Sequence, residues 1–126
     1  MKYLLDTNAL IFSLCNPNEL SKSARKIITL ERELFVSVVS FWEIAIKQSI
    51  GKLAIESDIP RIEEICKERG IQVISILSEE IEEIKKLPKF HNNPFDRIII
   101  SQALQNDFCI ITRDTIIPKY PVKTLW

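Results

Sequence analysis

Apolar residues along this chain follow two alternating rhythms: short runs rich in β-branched and aromatic side chains, and longer stretches whose apolar positions lie three and four apart. The short runs predict strands near residues 2–5, 34–37, 72–76, 108–112 and 122–125. The stretches between them predict helices at 9–14, 21–33, 38–50, 60–69, 79–87 and from 94 onward. Polar and special residues punctuate this pattern: Ser37, Ser78 and Asn93 are candidate caps, Pro60 and Pro94 occupy favoured first positions, and Gly51, Gly70 and Pro88 mark stops. Strands that alternate with helices need crossover connections, so the pattern predicts an α/β fold with a mostly parallel five-stranded sheet.

Composition narrows the class. A chain of 126 residues with 46% hydrophobic content fits one domain, 1–126, with one well-filled core. The 17 basic residues balance 17 acidic ones, so any attraction to nucleic acid must be local. Cys15, Cys66 and Cys109 are too dispersed for a zinc site and read as small core residues of a reducing compartment. The beginning of the chain lacks a basic segment followed by an apolar stretch and a small-residue cleavage site, and no apolar window is long enough to span a membrane. The expected location is cytoplasmic.

Four acids carry the chemistry. Asp6 stops the apolar run Tyr3-Leu4-Leu5, at the carboxyl end of the first strand, and Asp114 holds the same position after the run FCIIT. Glu43 is surrounded by Val39, Phe41, Trp42, Ile44, Ala45 and Ile46, and Asp96 follows Pro94 in the first turn of a helix. Each has an ordinary structural role open to it: Asp6 and Asp96 as helix-terminus acids, Glu43 as a partner for Lys47, and Asp114 as a turn residue. Their joint placement adds a second reading. In a doubly wound sheet of order 3-2-1-4-5 the crevice opens beside strand 1, at the carboxyl ends of the strands, and all four acids can meet there. Two unit charges about 4 Å apart repel by roughly 4 kcal/mol at an effective dielectric of 20. Such a group must protonate in part or share a divalent cation, and hard Mg²⁺ or Mn²⁺ suits oxygen donors. With one histidine, His91, and three scattered cysteines, softer metals lack ligands.

The segments LLDTNAL, SFWEIAIK, HNNPFDRIIISQAL and ITRD resemble, in order and spacing, the PIN-domain family, in particular its compact toxin ribonucleases of VapC type, and the likeness runs through the ending PVKTLW. The resemblance implies a three-layer α/β/α sandwich. It implies that Asp6, Glu43, Asp96 and Asp114 are the catalytic, metal-binding acids, with Thr7, Asn8 and Thr112 as supporting polar residues. It also implies a homodimer neutralised by a small antitoxin protein. The chain departs from the family pattern at Asn93, where relatives often carry aspartate, and at Thr115, Ile116 and Ile117, where many carry another acid.

The expected reaction is metal-dependent hydrolysis of RNA phosphodiesters, with Asp6, Glu43 and Asp96 holding the ion and Asp114 completing the site or orienting water. Lys47, Lys52, Arg97, Arg113, Lys89 and His91 are candidate contacts for RNA. Lys47 has a second option, tempering the charge of Glu43, and His91 reads as a loop residue. A phosphatase with Asp6 as nucleophile is the rival enzyme class, but Asn8 stands where its general acid belongs. A catalytically silent binding module is the third reading. Gly51 and Gly70 are the only glycines, so no phosphate-cradling loop can form.

Overall fold

The computed structural model describes all residues from Met1 to Trp126. Its strands are β1 (Lys2–Leu5), β2 (Leu34–Ser37), β3 (Ile71–Ile74), β4 (Phe108–Ile111) and β5 (Lys123–Leu125). They form one sheet of order β3-β2-β1-β4-β5 in which every neighbouring pair is parallel. The helices are α1 (Thr7–Cys15), α2 (Lys22–Leu30), α3 (Val38–Ser49), α4 (Ile59–Glu68), α5 (Ser78–Glu83) and α6 (Pro94–Asn106). The expected α/β architecture and strand order are both present.

Strand alternation divides the core into two layers. Leu5 and its register partners Val36 and Ile111 pack with Ala9, Leu10, Ala24, Phe41, Ile44 and Ile62, beneath α1 to α4. The preceding residue, Leu4, points to the opposite face and joins Ile110, Ile99, Ile100 and Ala103 under α6. Burial of both sheet faces explains why Tyr3 to Leu5 of β1 and all of β4 read as apolar runs, and it produces the three layers. Sharp reversals keep the connections short: Gly70, at φ 77°, lets α4 pass directly into β3.

The sequence reading set several boundaries too wide or one residue off. β3 spans Ile71–Ile74 rather than 72–76, and α2 ends at Leu30 instead of reaching 33. Ser78 does not cap α5. Glu80, buried three residues after Leu77, reaches back to accept the Leu77 N–H at 2.9 Å, which moves the cap to Leu77 and takes Ser78 into the helix. Pro60 is the second residue of α4, because Asp58 accepts the Arg61 N–H at 2.9 Å and Ile59 leads the helix. Of the cysteines, Cys66 and Cys109 are core residues as expected, whereas Cys15 is exposed at the end of α1. No helix is long and apolar enough to cross a membrane.

Candidate functional site

Parallel pairing brings the carboxyl ends of β1 and β4 side by side, and the site begins there. Asp6 follows β1 in an extended conformation and caps α1, its Oδ1 accepting the Ala9 N–H at 2.8 Å. Its structural and chemical roles coexist, because a single backbone bond leaves most of the carboxylate lone pairs free. Asp6 is buried, and that burial pushes its pKa up to about 6; the Thr112 hydroxyl and the Ala9 N–H oppose the rise, while the charges of Asp114 and Glu43 add to it. Next to it, Thr7 donates to the Ser40 hydroxyl at 3.0 Å and ties the start of α1 to the start of α3. Asn8 is exposed.

Glu43 lies in the second turn of α3. Only 6% of its surface is exposed. Its Oε2 is 3.5 Å from Lys47 Nζ and 3.4 Å from the Asn93 amide nitrogen, while its Oε1 is buried with no donor at all. The apolar neighbours of Glu43 in sequence do not all face the core, and α3 keeps an exposed side. Trp42, Ile46 and Ile50, four residues apart, form an apolar stripe open to solvent, with Phe95 meeting Trp42 edge to face.

Asp96 stands in the first turn of α6, where Asn93 caps the helix by accepting the Phe95 and Asp96 N–H groups at 2.8 and 3.4 Å. Asn93, the departure from the family pattern, has a definite use here. Its Oδ1 caps α6 while its amide donates toward Glu43, a donor that an aspartate lacks. Burial pushes the Asp96 pKa up to about 7, helped by the charges of Asp6, Glu43 and Asp114 and opposed by His91. Asp114 behaves in the opposite way. Burial would raise it, yet the His91 ring and the Ile117 and Ile116 N–H groups outweigh that and hold its carboxyl below the ordinary value.

The four acids therefore sense one another across four separate segments of chain. A group with raised carboxyl pKa values and an orphaned buried oxygen needs positive charge. Its donors are oxygens, and the sulfur atoms are elsewhere, so the residues fit a hard divalent cation. The site residue that sequence reasoning undervalued is His91. It is buried, with Nε2 3.0 Å from Asp114 Oδ2 and 3.3 Å from Asp96 Oδ2. A lone loop histidine has no periodicity, and only its spacing of five residues before Asp96 could have drawn attention to it.

The basic candidates divide by surroundings. Lys47 is paired with Glu43, the tempering role foreseen for it. Arg113 is exposed, 3.1 Å from Glu19 and stacked over the Phe12 ring. Lys52 and Lys89 are exposed. Arg97 turns inward: its guanidinium donates to the carbonyls of Ile84, Leu87, Pro88 and His91 and to the Tyr120 hydroxyl, which clamps the segment before α6 and leaves little for a substrate.

The sequence model of the family described as PIN domain matches residues 3–123. No curated protein is significantly similar to the chain. Among solved structures, the chain is similar to one in a VapBC2 complex from Rickettsia felis bound to a promoter DNA fragment, at 15% identity and a TM-score of 0.74, covering 99% of this chain and 98% of that one. A DNA-bound VapBC structure from Salmonella typhimurium aligns at 17% identity and a TM-score of 0.67, covering 99% and 97%. FitAcB from Neisseria gonorrhoeae aligns at 18% and 0.62, covering 98% and 96%. At these identities the structural likeness speaks for the fold.

Proposed function

The chain belongs to the PIN-domain family, and from that membership we propose that it is a divalent-metal-dependent endoribonuclease, the toxin of a toxin–antitoxin pair. The observation that carries the proposal is the buried, donorless Oε1 of Glu43 within a set of acids whose charges act on one another. A fold alone does not imply catalysis; a carboxylate oxygen left without a donor in that setting calls for a cation.

Asp6, Glu43 and Asp96 hold the ion, which is Mg²⁺ or Mn²⁺, and when bound it supplies a Lewis acid for a phosphate oxygen and an acidified water. Asp114 has less to offer, because its Oδ1 already accepts the Ile116 and Ile117 N–H groups at 2.6 and 3.0 Å. It serves through Oδ2, as a completing ligand or as an acceptor that orients water. Thr7 ties the start of α1 to α3, Thr112 accepts the Asp114 N–H at 3.0 Å and supports the Asp6 carboxyl, and exposed Asn8 sits at the rim. Arg113 and Lys47, with the exposed Lys52 and Lys89, are the side chains that can approach the RNA backbone. The phosphatase reading needs a proton donor two residues after Asp6, and Asn8 provides none.

The partners follow from the same reading. Solved structures of similar fold are described as VapBC and FitAB assemblies, some of them bound to DNA, which supports an antitoxin for this chain. The outward apolar stripe of Trp42, Ile46 and Ile50 supports a homodimer, since such surface is ordinarily covered. A toxin that cuts cellular RNA works in the cytoplasm.

The deciding experiment is cleavage of a panel of RNA and single-stranded DNA by wild type and Asp96→Asn, with and without Mg²⁺, alongside a chromogenic phosphate monoester. Wild type cuts RNA only with metal, and the variant is at least about 100-fold slower, the scale of losing one preorganised electrostatic group. Release of the chromophore with the RNA left intact would reject the nuclease in favour of the phosphatase. Inertness toward every substrate, with no metal-induced rise in melting temperature, would leave the silent module.

A further inference from the structure

His91 is held at every polar atom. Its backbone N–H donates to the Tyr120 hydroxyl at 2.9 Å, and its carbonyl accepts from Arg97 at 3.4 Å. On the ring, Nδ1 accepts the backbone N–H of Asn93 at 3.1 Å. A backbone N–H only donates, so Nδ1 carries no proton and the ring proton sits on Nε2. That proton faces Asp114 Oδ2 at 3.0 Å and Asp96 Oδ2 at 3.3 Å.

This tautomer decides between two readings of the same cluster. His91 Nε2 and one oxygen each of Asp96 and Asp114 lie within 4.8 Å of one another, a spacing that by itself describes a mixed nitrogen and oxygen metal site. Coordination through Nε2 would require the ring to carry its proton on Nδ1, where it would collide with the Asn93 N–H. We propose that His91 is a positioning residue, a fixed hydrogen-bond donor that holds the Asp96 and Asp114 carboxylates together and is not itself a ligand of the ion. The two acids come from the start of α6 and the turn after β4, and without a donor between them they repel. Since Oδ1 of Asp114 is filled by two N–H groups, the clip acts on the one oxygen with which that residue can serve the site. By withholding a nitrogen, the clip also keeps the donor set all-oxygen, which favours Mg²⁺ and Mn²⁺ over softer ions. Asn93 extends the arrangement to a third acid through its amide on Glu43.

The proposal rests on the metal-dependent reading of the site, but its test does not use RNA. Imidazole ¹⁵N spectra of the metal-free wild type at pH 8 should show the Nε2–H tautomer for the single histidine, and it should persist when Mg²⁺ is added. Calorimetric titration with Mg²⁺ should show affinity reduced roughly 10- to 100-fold in His91→Leu, the usual cost of losing an outer-shell partner, and regained to within a few-fold in His91→Gln, whose amide restores a donor near the Nε2 position. An Nδ1–H tautomer, or loss of the Nε2 proton on metal addition, would make His91 a ligand, and a glutamine variant as weak as the leucine one would overturn the donor role. Mg²⁺ uptake by His91→Leu equal to wild type would reject positioning while leaving the nuclease reading intact. A wild type that takes up no Mg²⁺ at all would reject both.

Discussion

Glu80 and Glu43 are helix glutamates with 3% and 6% of their surface exposed, yet their carboxylates end in different company. Glu80 accepts from the Leu77 N–H at 2.9 Å, from Gln102 at 3.2 Å and from Asn106 at 3.1 Å, so both its oxygens are occupied by neutral donors that knit α5 to α6. Glu43 has one oxygen between Lys47 and Asn93 at 3.5 and 3.4 Å and another with no donor. Burial alone therefore does not identify a functional acid. The informative feature is burial with unmet hydrogen-bonding capacity, because an unsatisfied charged oxygen costs stability that a purely structural residue has no reason to carry.

The largest effect expected from this contrast is a separation of activity from stability. Glu43→Gln should lower kcat/KM for RNA by about 100- to 1,000-fold while the metal-free melting temperature stays the same or rises. Glu80→Ala should do the reverse. It strands three donors and costs roughly 2–4 kcal/mol in chemical denaturation, with the activity per folded molecule preserved. Matching losses of activity in the two variants would erase the distinction.

A second expectation concerns pH. Asp6 and Asp96, with folded pKa values raised to about 6 and about 7, bind protons in the folded state that the unfolded chain has already released above the ordinary value of 3.8. Their contribution to stability is therefore greatest at low pH and is lost as pH rises from about 4 to 7. For Asp6 alone the shift corresponds to about 3 kcal/mol. Asp114, held below 3.8, works the other way, its contribution present above that value and lost under it. In calorimetric scans from pH 5 to 8 the metal-free protein should lose melting temperature, and Asp6→Asn should flatten the slope. Mg²⁺ should restore most at pH 8, where few protons remain to be displaced, by about 2.7 kcal/mol at a hundredfold excess over Kd. A wild-type profile as flat as that of the variant would remove the electrostatic conflict from the site.

Asn93→Asp sharpens the comparison on a smaller scale. It keeps the α6 cap but exchanges the donor facing Glu43 for a like charge, so about 1 kcal/mol of metal-free stability should disappear in urea melts and return in part with Mg²⁺. The smallest effect belongs to Lys47→Met. The pair is 3.5 Å apart with the lysine side chain a third exposed but the glutamate side chain only 8% exposed, so a loss of under about 1 kcal/mol is expected, measured in the same melts.

Much of this molecule was written in local pattern. The runs ending at Leu5 and Ile111 are apolar at every position because both faces of their sheet are covered, and that marked the parallel architecture and put Asp6 and Asp114 just beyond it. Caps were similarly legible at Ser37 and Asn93, where a short polar side chain next to a helical stretch has one evident use. Boundaries were less so: the Leu77 cap depends on a buried glutamate whose partners, Gln102 and Asn106, come from another helix. The exposure of Trp42 and Ile46 was equally hidden, since an apolar stripe looks alike in sequence whether it meets the core or a solvent-facing surface.

The alternation of strands and helices followed from the chain alone, because hydrophobic period is a property of residues and their near neighbours. The donorless oxygen of Glu43, the inward turn of Arg97 and the proton placement on His91 emerged only from the folded arrangement. Each depends on groups far apart in the chain, or on a backbone direction, that no local pattern encodes. A hydrogen bond is directional and short, and whether a side chain becomes a ligand, a clamp or a clip is settled by which atoms the fold places within about 3 Å of it.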